Sequence, residues 1–415
     1  MAILVRFVLL SIAVSFSGAC APAPLVAAPS RNAVSSVQPA GAPSLHQSAV
    51  PDAQPWEAAS AGFRSNKGWL GADSAYSIDL DASRVLWLFA DTFLDPALDG
   101  SRTDGPNYFI RNSVAIQTGP TPEAAHDLSQ STLSYYWGAV DKAKATPTSY
   151  FHDLEGGARW LWPMHGVRLP SGEVLVFRMQ VIKTQDAFGF EVDSWDAIAI
   201  DDAKLAPDRW QPRTLTAAKH QFGKIVGTSV LIHDGQLYAY AVDEPSPEHA
   251  VYLARWSLAQ LAGLAQGALD DPEWWTARGF VRESALHGAQ PALLFKPGQA
   301  ELSVHFEPAR ARFVEVQMSG LFVTDPKTQL SMRTALRPEG PWSDALPFFR
   351  PGEAALANAA DWAAYAGKAH PEQRGADLVL TYVVNDLKRF PPTDQVYYPQ
   401  VLRAQYGQTT NSGAP

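Results

Sequence analysis

Short apolar segments that each follow a turn recur five times along the chain. Each segment continues with alternating aliphatic, β-branched and aromatic positions and ends on a polar residue, which is the pattern of a β-strand. The five segments begin at Ser83, Ser171, Asp234, Gln299 and Gly375. A spacing of roughly 60–90 residues is a little longer than one propeller blade requires, and a repeat of this kind indicates a propeller.

A second strand-like run precedes most of these segments, and further apolar runs follow them. The preceding runs cover residues 75–80, 165–170, 228–233 and 291–296. Two runs joined by a tight turn predict a β-hairpin, and three or four strands for each unit leave almost no amphipathic helix. The sequence therefore predicts an all-β, five-bladed β-propeller over residues 56–404. A two-sheet sandwich is the alternative, but it leaves the repeat unexplained.

The first 20 residues have the pattern of a lipoprotein-type signal peptide. Arg6 precedes an apolar stretch, and the small residues Ser17, Gly18 and Ala19 lead directly to Cys20. The stretch is short for a membrane span, and this arrangement is similar to the bacterial lipobox, in which the cysteine is lipidated. We expect an exported protein of the bacterial cell envelope. Lipidation at Cys20 would anchor it at the outer membrane, whereas an ordinary signal peptide would leave it secreted.

Both ends of the remaining chain have compositions that do not support a core. Residues 21–55 are rich in Ala, Pro, Ser and Val with few aromatic side chains, and residues 405–415 are similarly polar and small. Such segments cannot bury enough apolar surface to fold. They predict a disordered tether between the anchor and the propeller and a disordered C-terminal tail.

Composition limits the partners of the folded part. The net charge of −9 and the lack of Lys/Arg runs exclude long-range attraction to nucleic acid, so membrane contact would run through the lipid alone. The 13 Trp residues suit either sugar stacking or blade packing. A single cysteine excludes an intramolecular disulfide and a Cys-based metal site. We expect a monomer with a carbohydrate substrate or ligand.

Two aspartates stand out in the first unit. The hairpin turn is predicted at residues 81–83, and Asp73 and Asp91 lie equally far from Ala82 on either side. Opposed side chains of a hairpin lie about 5 Å apart at Cβ. Two carboxyl groups at such a distance cannot both ionise at low cost, so one pKa should rise. A pair with one protonated acid and one carboxylate is what glycoside hydrolases use for catalysis. Strand-end aspartates that cap loop amides are the alternative interpretation.

The other units place polar residues at the matching strand ends. Inner strands are predicted to start at His165 and Gln290, and second strands to end at Gln180, Asp243, Glu244, Glu307, Asn385 and Asp386. If every unit presents the same edge to the axis, these side chains form one ring that could bind sugar hydroxyls. Each of them alone is equally explained by structural or solvated roles.

Several segments resemble a bacterial family of five-bladed propellers long labelled as of unknown function. GADSAYSI, LWLFADTF and IRNSVAI carry the resemblance in the first unit, with Ala90 where the family has Gly. Residues 336–349, YAGKAHPE, LTYVVND and YYPQVLR carry it later. That family is related to arabinanase- and invertase-type propellers and includes endo-D-arabinanases. The resemblance thus implies a glycoside hydrolase acting on a furanoside, an arabinan-type chain or another surface polysaccharide.

The same resemblance implies roles for individual residues. It marks Asp73 and Asp91 as candidate catalytic carboxylates and adds Asn112, His165, His370 and Asn385 to Gln290 as candidate substrate-binding residues. Arabinanase-type propellers take three carboxylates from their first three blades, whereas His165 and Gly227 stand at the comparable starts here. The general acid therefore stays open. The weaker candidates for a third carboxylate are Glu191, Asp193, Asp243, Glu244 and Glu315.

Metal chemistry has little support in the sequence. HDLEGG and HPEQ contain metal-capable side chains but lack metal-site spacing, so we assign no metal ligands and no cofactor. A Ca²⁺ ion in the central channel is compatible with the acidic and amide groups there. Two functions follow: a propeller glycoside hydrolase using carboxylate acid/base chemistry, or a non-catalytic propeller lipoprotein that binds a glycan or protein.

Overall fold

The computed structural model describes residues 50–407 except 96–97, 99, 103–107, 142–145, 186–188, 218–221, 245–247, 263, 265–267, 322 and 353–361. The predicted signal peptide, Cys20 and most of the tether lie outside the described residues, as do residues 408–415 of the predicted tail. Among the residues described, no helix is long and apolar enough to cross a membrane.

The described chain is built of short antiparallel strands and three very short helices. The N-terminal part contains β1 (Asp52–Pro55), α1 (Glu57–Phe63), β2 (Trp69–Ala72), β3 (Tyr76–Asp81), β4 (Arg84–Phe89), β5 (Thr92–Leu94), β6 (Tyr108–Ile110), β7 (Ser113–Thr118), α2 (Pro122–Ala125), β8 (Thr132–Tyr136), β9 (Gly138–Asp141) and β10 (Thr146–Thr148). The middle part contains β11 (Arg159–Arg168), β12 (Val174–Lys183), β13 (Phe190–Ile200), β14 (Arg213–Ala217), β15 (Ile225–His233), β16 (Gln236–Val242), β17 (Val251–Ser257), α3 (Leu258–Leu261), β18 (Ala268–Leu269), β19 (Glu273–Thr276) and β20 (Gly279–Arg282). The C-terminal part contains β21 (Ser303–Glu307), β22 (Arg312–Ser319), β23 (Gln329–Ala335), β24 (Leu346–Phe349), β25 (Trp362–Ala369), β26 (Leu378–Asp386) and β27 (Pro399–Gln405).

Five sheets of four or five strands organise these elements. Their strand orders are β3-β4-β7-β8, β11-β12-β13-β14-β18, β15-β16-β17-β19-β20, β21-β22-β23-β24 and β25-β26-β27-β1. Within each sheet the first strands follow one another in up-and-down order, and the second sheet adds β18, which lies after β17 in the chain and pairs parallel to β14. The fifth sheet is completed by the N-terminal strand β1 on the C-terminal strand β27. Two smaller sheets, β2-β5-β6 and β9-β10, accompany them.

The first strands of the five sheets contact one another in sequence around a common axis. Ring nitrogens of His165 in β11 lie 3.2 Å from the carbonyl oxygen of Ser77 in β3 and 3.0 Å from the backbone N of Val230 in β15. The Ser229 hydroxyl accepts from the backbone N–H of Val304 in β21, and Ser303 accepts from that of Ala369 in β25. The succession of inner strands and the shared terminal sheet make this a β-propeller, which confirms the predicted all-β propeller class.

The core lies between the faces of neighbouring sheets. Alternation along each strand turns aliphatic and aromatic side chains toward the next sheet, where they bury one another. The largest fully buried side chains include Trp69, Trp87, Trp256, Phe89 and Phe177. Many of the Trp residues, for which the sequence allowed either sugar stacking or blade packing, therefore pack between the sheets.

The fourth hairpin was wrongly predicted. Residues 291–296 form no strand, and only an isolated bridge joins Phe295 to Val251. The inner strand is β21, paired with β22 around a turn that ends at Ala311, whose φ is 49°. Three apolar runs follow one another in this unit, and any two neighbouring runs could form the hairpin by their pattern alone. In the structure the second and third runs pair. Gln290 consequently lies exposed outside any strand, and Glu301 stands just before the true inner strand.

The boundaries of the predicted disordered ends also need correction. Residues 52–55 form β1 through backbone pairing with β27, and Ala53 is buried. Gln405 is the last residue of β27, and Tyr406 is buried beyond it. Backbone pairing to an existing sheet edge orders these residues although their own composition could not.

Candidate active site

Asp73 and Asp91 lie where two β-ladders of the first hairpin meet. The pairs Tyr76↔Leu88 and Ala72↔Thr92 stand on either side of them in the same register. Between these pairs, the backbone N–H of Asp73 donates to the Asp91 carbonyl at 3.4 Å. The two residues are therefore opposed across the hairpin, and opposed side chains emerge on the same face.

The backbone curls tightly directly after Asp73. Ser74 and Ala75 have φ values of 66° and 53°, a region that non-glycine residues enter at a cost of about 1–3 kcal/mol. The inner strands β11, β15 and β25 each contain a register shift, and that of β25 lies between Tyr365 and Lys368. Such an irregularity bends the strand and re-aims its side chains.

The Asp73 carboxyl group is held on one oxygen only. Its Oδ2 accepts hydrogen bonds from Tyr365 Oη at 3.0 Å and Tyr397 Oη at 3.1 Å, while Oδ1 is buried without a partner. Burial, then the charges of Asp91 and Glu301, raise the pKa of Asp73 well above its ordinary value, against the two tyrosine bonds. Of the pair, Asp73 has the more strongly raised pKa.

Two donors bind Asp91 and favour its ionised form. Trp162 Nε1 donates to Oδ1 at 2.9 Å, and Arg111 Nη1 lies 3.3 Å from Oδ2. Burial raises the pKa of Asp91, and the Arg111 charge and both hydrogen bonds oppose that rise. The two carboxyls therefore have different environments, which separates an acid from a base.

A third carboxylate, Glu301, lies beside the pair and was missed by the sequence analysis. Its Oε1 is 3.6 Å from Lys368 Nζ and is otherwise buried without a hydrogen-bond partner. Lys368 is 1% exposed and donates to the carbonyl oxygens of Ser74 and Ala366. This lysine therefore ties the backbone next to Asp73 to the fifth sheet and to Glu301. Because the inner strand of the fourth unit was predicted at residues 291–296, Glu301 was not recognised as a residue at the start of an inner strand.

The tyrosines and the lysine also went unnamed in the sequence analysis. Tyr365 and Lys368 lie within YAGKAHPE, the segment that carries part of the family resemblance and that contains His370. That resemblance is the sequence signal that could have identified them, and both residues border the register shift of β25.

Two predicted pocket residues border this region without being free to bind. The Asn385 amide N lies 3.4 Å from Tyr365 Oη, behind the tyrosine that holds Asp73. Burial lowers the pKa of His165 to about 4, so its ring is neutral. Both of its nitrogens are used by Ser77 and Val230, which gives His165 a role in joining inner strands.

Asn112 and His370 are buried and form hydrogen bonds inside the fold. Asn112 is fully buried, and its amide donates to the carbonyls of Phe151 and Leu161 and accepts from the Phe151 N–H. His370 is 1% exposed, with Ser77 Oγ 2.5 Å from Nδ1 and Thr381 Oγ1 2.7 Å from Nε2. All polar atoms of both side chains are satisfied internally, and Gln290 is exposed away from the inner strands. These contacts give the substrate-binding predictions for the three residues no support, and they stay predictions.

The weaker carboxylate candidates are engaged elsewhere. Asp243 pairs with Lys224 at 3.0 Å, Glu244 with His249 at 3.4 Å, and Glu315 with Arg333 at 3.0 Å. Asp193 pairs with Arg159, and Glu191 is exposed. None of these five takes the position beside Asp73 that Glu301 occupies.

A cavity of about 310 Å³ lies along the inner strands, and neither Asp73 nor Asp91 is among its lining residues. Its lining includes His165, residues 230–233 of β15 and residues 303–306 of β21. Within the residues that the structure describes, no group of three or more His, Cys, Asp or Glu side chains could hold a metal ion. The Ca²⁺ ion considered from the sequence stays a prediction.

Comparison with solved structures places the fold among known ones. A protein of Bacteroides ovatus ATCC 8483 with a provisional hydrolase name is 16% identical, with 88% of this chain and 93% of that chain covered and a TM-score of 0.63. The GH62 α-L-arabinofuranosidase catalytic domain of Coprinopsis cinerea is 12% identical, with 86% and 96% covered and a TM-score of 0.45. An α-L-arabinofuranosidase of Lactobacillus brevis is 12% identical, with 82% and 93% covered and a TM-score of 0.41.

Family membership rests on the sequence. No protein with a curated function shows significant similarity to this chain. Residues 60–405 match the model of the family described as a domain of unknown function, DUF5005. The match spans the folded body from α1 to the last strand, so this chain belongs to the DUF5005 family.

Proposed function

We propose that this protein is a five-bladed propeller glycoside hydrolase of the bacterial cell envelope that acts on a furanoside, arabinan-type or other surface polysaccharide. The observation that carries the proposal is the asymmetric carboxyl pair. Asp73 is buried with one oxygen unpartnered, and the opposed Asp91 is held by Arg111 and Trp162. The five sheets with successive inner strands support the count of five blades.

The two carboxyls have distinct roles in this mechanism. Asp73 gives its proton to the glycosidic oxygen as the bond from that oxygen to the anomeric carbon breaks. The hydroxyls of Tyr365 and Tyr397 then stabilise the Asp73 carboxylate that is left. Asp91 takes a proton from the attacking water, or bonds to the anomeric carbon itself. A carboxyl separation of about 6.5–9.5 Å suits the first route and about 5–5.5 Å the second.

The direct experiment is hydrolysis of D-arabinan and L-arabinan by the purified protein, followed by reducing-end release. The Asp73→Asn/Asp91→Asn double variant is the control. Release by the wild type and not by the double variant supports the proposal. Wild-type binding to either polymer without release favours the non-catalytic glycan-binding propeller, and equal release by both proteins excludes this pair.

The pH profile gives a sharper test of the roles. Hydrolysis should fall at high pH as Asp73 loses its proton and at low pH as Asp91 gains one. Glu301→Gln removes a negative neighbour of Asp73 and leaves the Lys368 cation uncompensated, and both changes lower the pKa of Asp73. We expect the high-pH limb of kcat/KM to move to lower pH in this variant.

The control for the shift of the high-pH limb is the same Glu-to-Gln substitution at an exposed position outside the candidate active site. Glu248 lies in an exposed pair with Lys296, so Glu248→Gln should leave both limbs in place. An unchanged high-pH limb in Glu301→Gln would contradict the assignment of the proton to Asp73.

We also infer that Cys20 carries the lipid that anchors the propeller at the outer membrane. In a bacterial host, Cys20→Ser should move the protein from the membrane fraction to the soluble periplasmic or secreted fraction, and metabolic labelling with a fatty acid should be lost. Membrane association that survives this substitution would contradict the anchor.

A further inference from the structure

Aromatic side chains form a continuous strip on the small sheet β2-β5-β6 that extends the first hairpin. The strip consists of Tyr397, Phe93, Phe109 and Phe390. Phe93 packs edge-on against Tyr397 at 5.4 Å between ring centroids and against Phe109 at 5.1 Å. Phe390 lies 5.4 Å from Phe93 and 5.3 Å from Phe109, so the four rings form one contact path.

Asp73 contacts this strip directly, and Asp91 is linked to it through Arg111. Tyr397 at one end donates its hydroxyl hydrogen to Asp73. Arg111, which binds Asp91, lies with its guanidinium carbon 5.0 Å from the centre of the Phe109 ring. The strip therefore begins at Asp73 and passes from Tyr397 over Phe93 and Phe109, which lie in β5 and β6, to Phe390.

The strip ends in solvent. Tyr397 and Phe93 are 4% and 1% exposed, whereas Phe390 is 47% exposed. Contacts with Phe93 and Phe109 hold the Phe390 ring in place. Its exposed apolar face therefore loses little conformational entropy when a ligand binds. One exposed ring is far below the roughly 800 Å² that each partner buries in a stable protein interface. It is comparable in area to a single sugar ring, whose apolar C–H face stacks on an aromatic face.

We propose that the aromatic strip is a distal subsite, in which Phe390 stacks on a sugar unit of a glycan chain whose scissile bond lies at Asp73 and Asp91. The occupant is a neutral oligo- or polysaccharide longer than the fragment bound at the carboxyls. This proposal deepens the proposed function and rests on it for the position of the scissile bond. Binding at Phe390 can be measured without any hydrolysis.

The first experiment measures binding by the inactive Asp73→Asn/Asp91→Asn protein to D-arabinan and L-arabinan in affinity gels. Adding Phe390→Ala should weaken binding of the favoured polymer about tenfold, the order expected for one lost stacking contact. Phe390→Trp should restore binding. Leu336→Ala, which truncates another exposed apolar side chain at 62% exposure, should have no effect.

The second experiment compares substrate lengths in otherwise wild-type protein. Phe390→Ala should lower the ratio of kcat/KM on the polymer to kcat/KM on an aryl arabinofuranoside about tenfold. Equal polymer affinity in Phe390→Ala and its parent, or no binding of either polymer by the parent, overturns the distal subsite. Binding that depends on Phe390 without hydrolysis by the wild type keeps the subsite and overturns the proposed hydrolase.

Discussion

Replacing Asp91 by Asn is expected to lower the rate of glycoside hydrolysis about 10²- to 10⁴-fold on every substrate that the protein cleaves. The amide cannot accept a proton from water or bond to the anomeric carbon. It keeps the size of the carboxylate and can still contact Trp162 and Arg111, so the fold should persist. The measurement is kcat on polymer and on aryl glycosides, with circular dichroism as a check on folding.

Asp73→Asn should give a loss that depends on the leaving group. An acidic aryl leaving group departs with little protonation, so this variant should keep much of its activity on such substrates and lose about 10²- to 10⁴-fold on polymer. Asp202→Asn, at an exposed position, is the matched control and should behave as wild type. A leaving-group dependence in Asp91→Asn instead would reverse the two roles.

The largest effect on stability is expected at a buried ion pair of the fourth sheet. Glu315 is 0% and Arg333 3% exposed, with Arg333 Nη1 3.0 Å from Glu315 Oε2 and its Nη2 donating to the Pro297 carbonyl. Arg333→Met leaves a buried carboxylate without a partner and should cost about 3–5 kcal/mol of unfolding free energy. Denaturant unfolding measures it. Lys296→Met, in an exposed pair, should cost less than about 1 kcal/mol.

The deficit of Arg333→Met should depend on pH. Burial raises the pKa of Glu315 to about 7 even with Arg333 present, and loss of the cation raises it further. A carboxyl with a higher pKa in the folded state loses stability as pH rises from its unfolded pKa through the folded one. The deficit should therefore be small near pH 4 and largest above pH 7. An equal deficit at both ends would show that lost packing, not charge, governs the effect.

Much of the first unit could be predicted from sequence because its interactions are local. The predicted turn is present, with Asp81 paired to Arg84, and a register shift between Asp79 and Asp81 then leads to the pairs Tyr76↔Leu88 and Ala72↔Thr92. The opposition of Asp73 and Asp91 depends on that shift, which the sequence prediction did not include, as well as on the turn. The fourth unit lacked such a constraint, since three apolar runs competed and only pairing in space chose β21 and β22.

The candidate pocket residues show what a local pattern leaves open. Asn112 and His370 have polar side chains at positions that the family resemblance marks for substrate binding. In the structure both side chains form hydrogen bonds inside the protein. The residues that do surround Asp73 come from the fourth and fifth sheets and from the C-terminal part, far away along the chain. No local signal links Glu301 or Tyr397 to Asp73.

The amino-acid pattern by itself determined the strand composition, the propeller class and the turn of the first hairpin, because strand alternation and turn geometry act within one hairpin. Only the tertiary structure decided which carboxyl has the more strongly raised pKa, that Glu301 and Lys368 lie near it, and that an aromatic strip extends from Asp73. Burial, charge and contact between sheets set those features, and they depend on how five separate sheets meet around the axis.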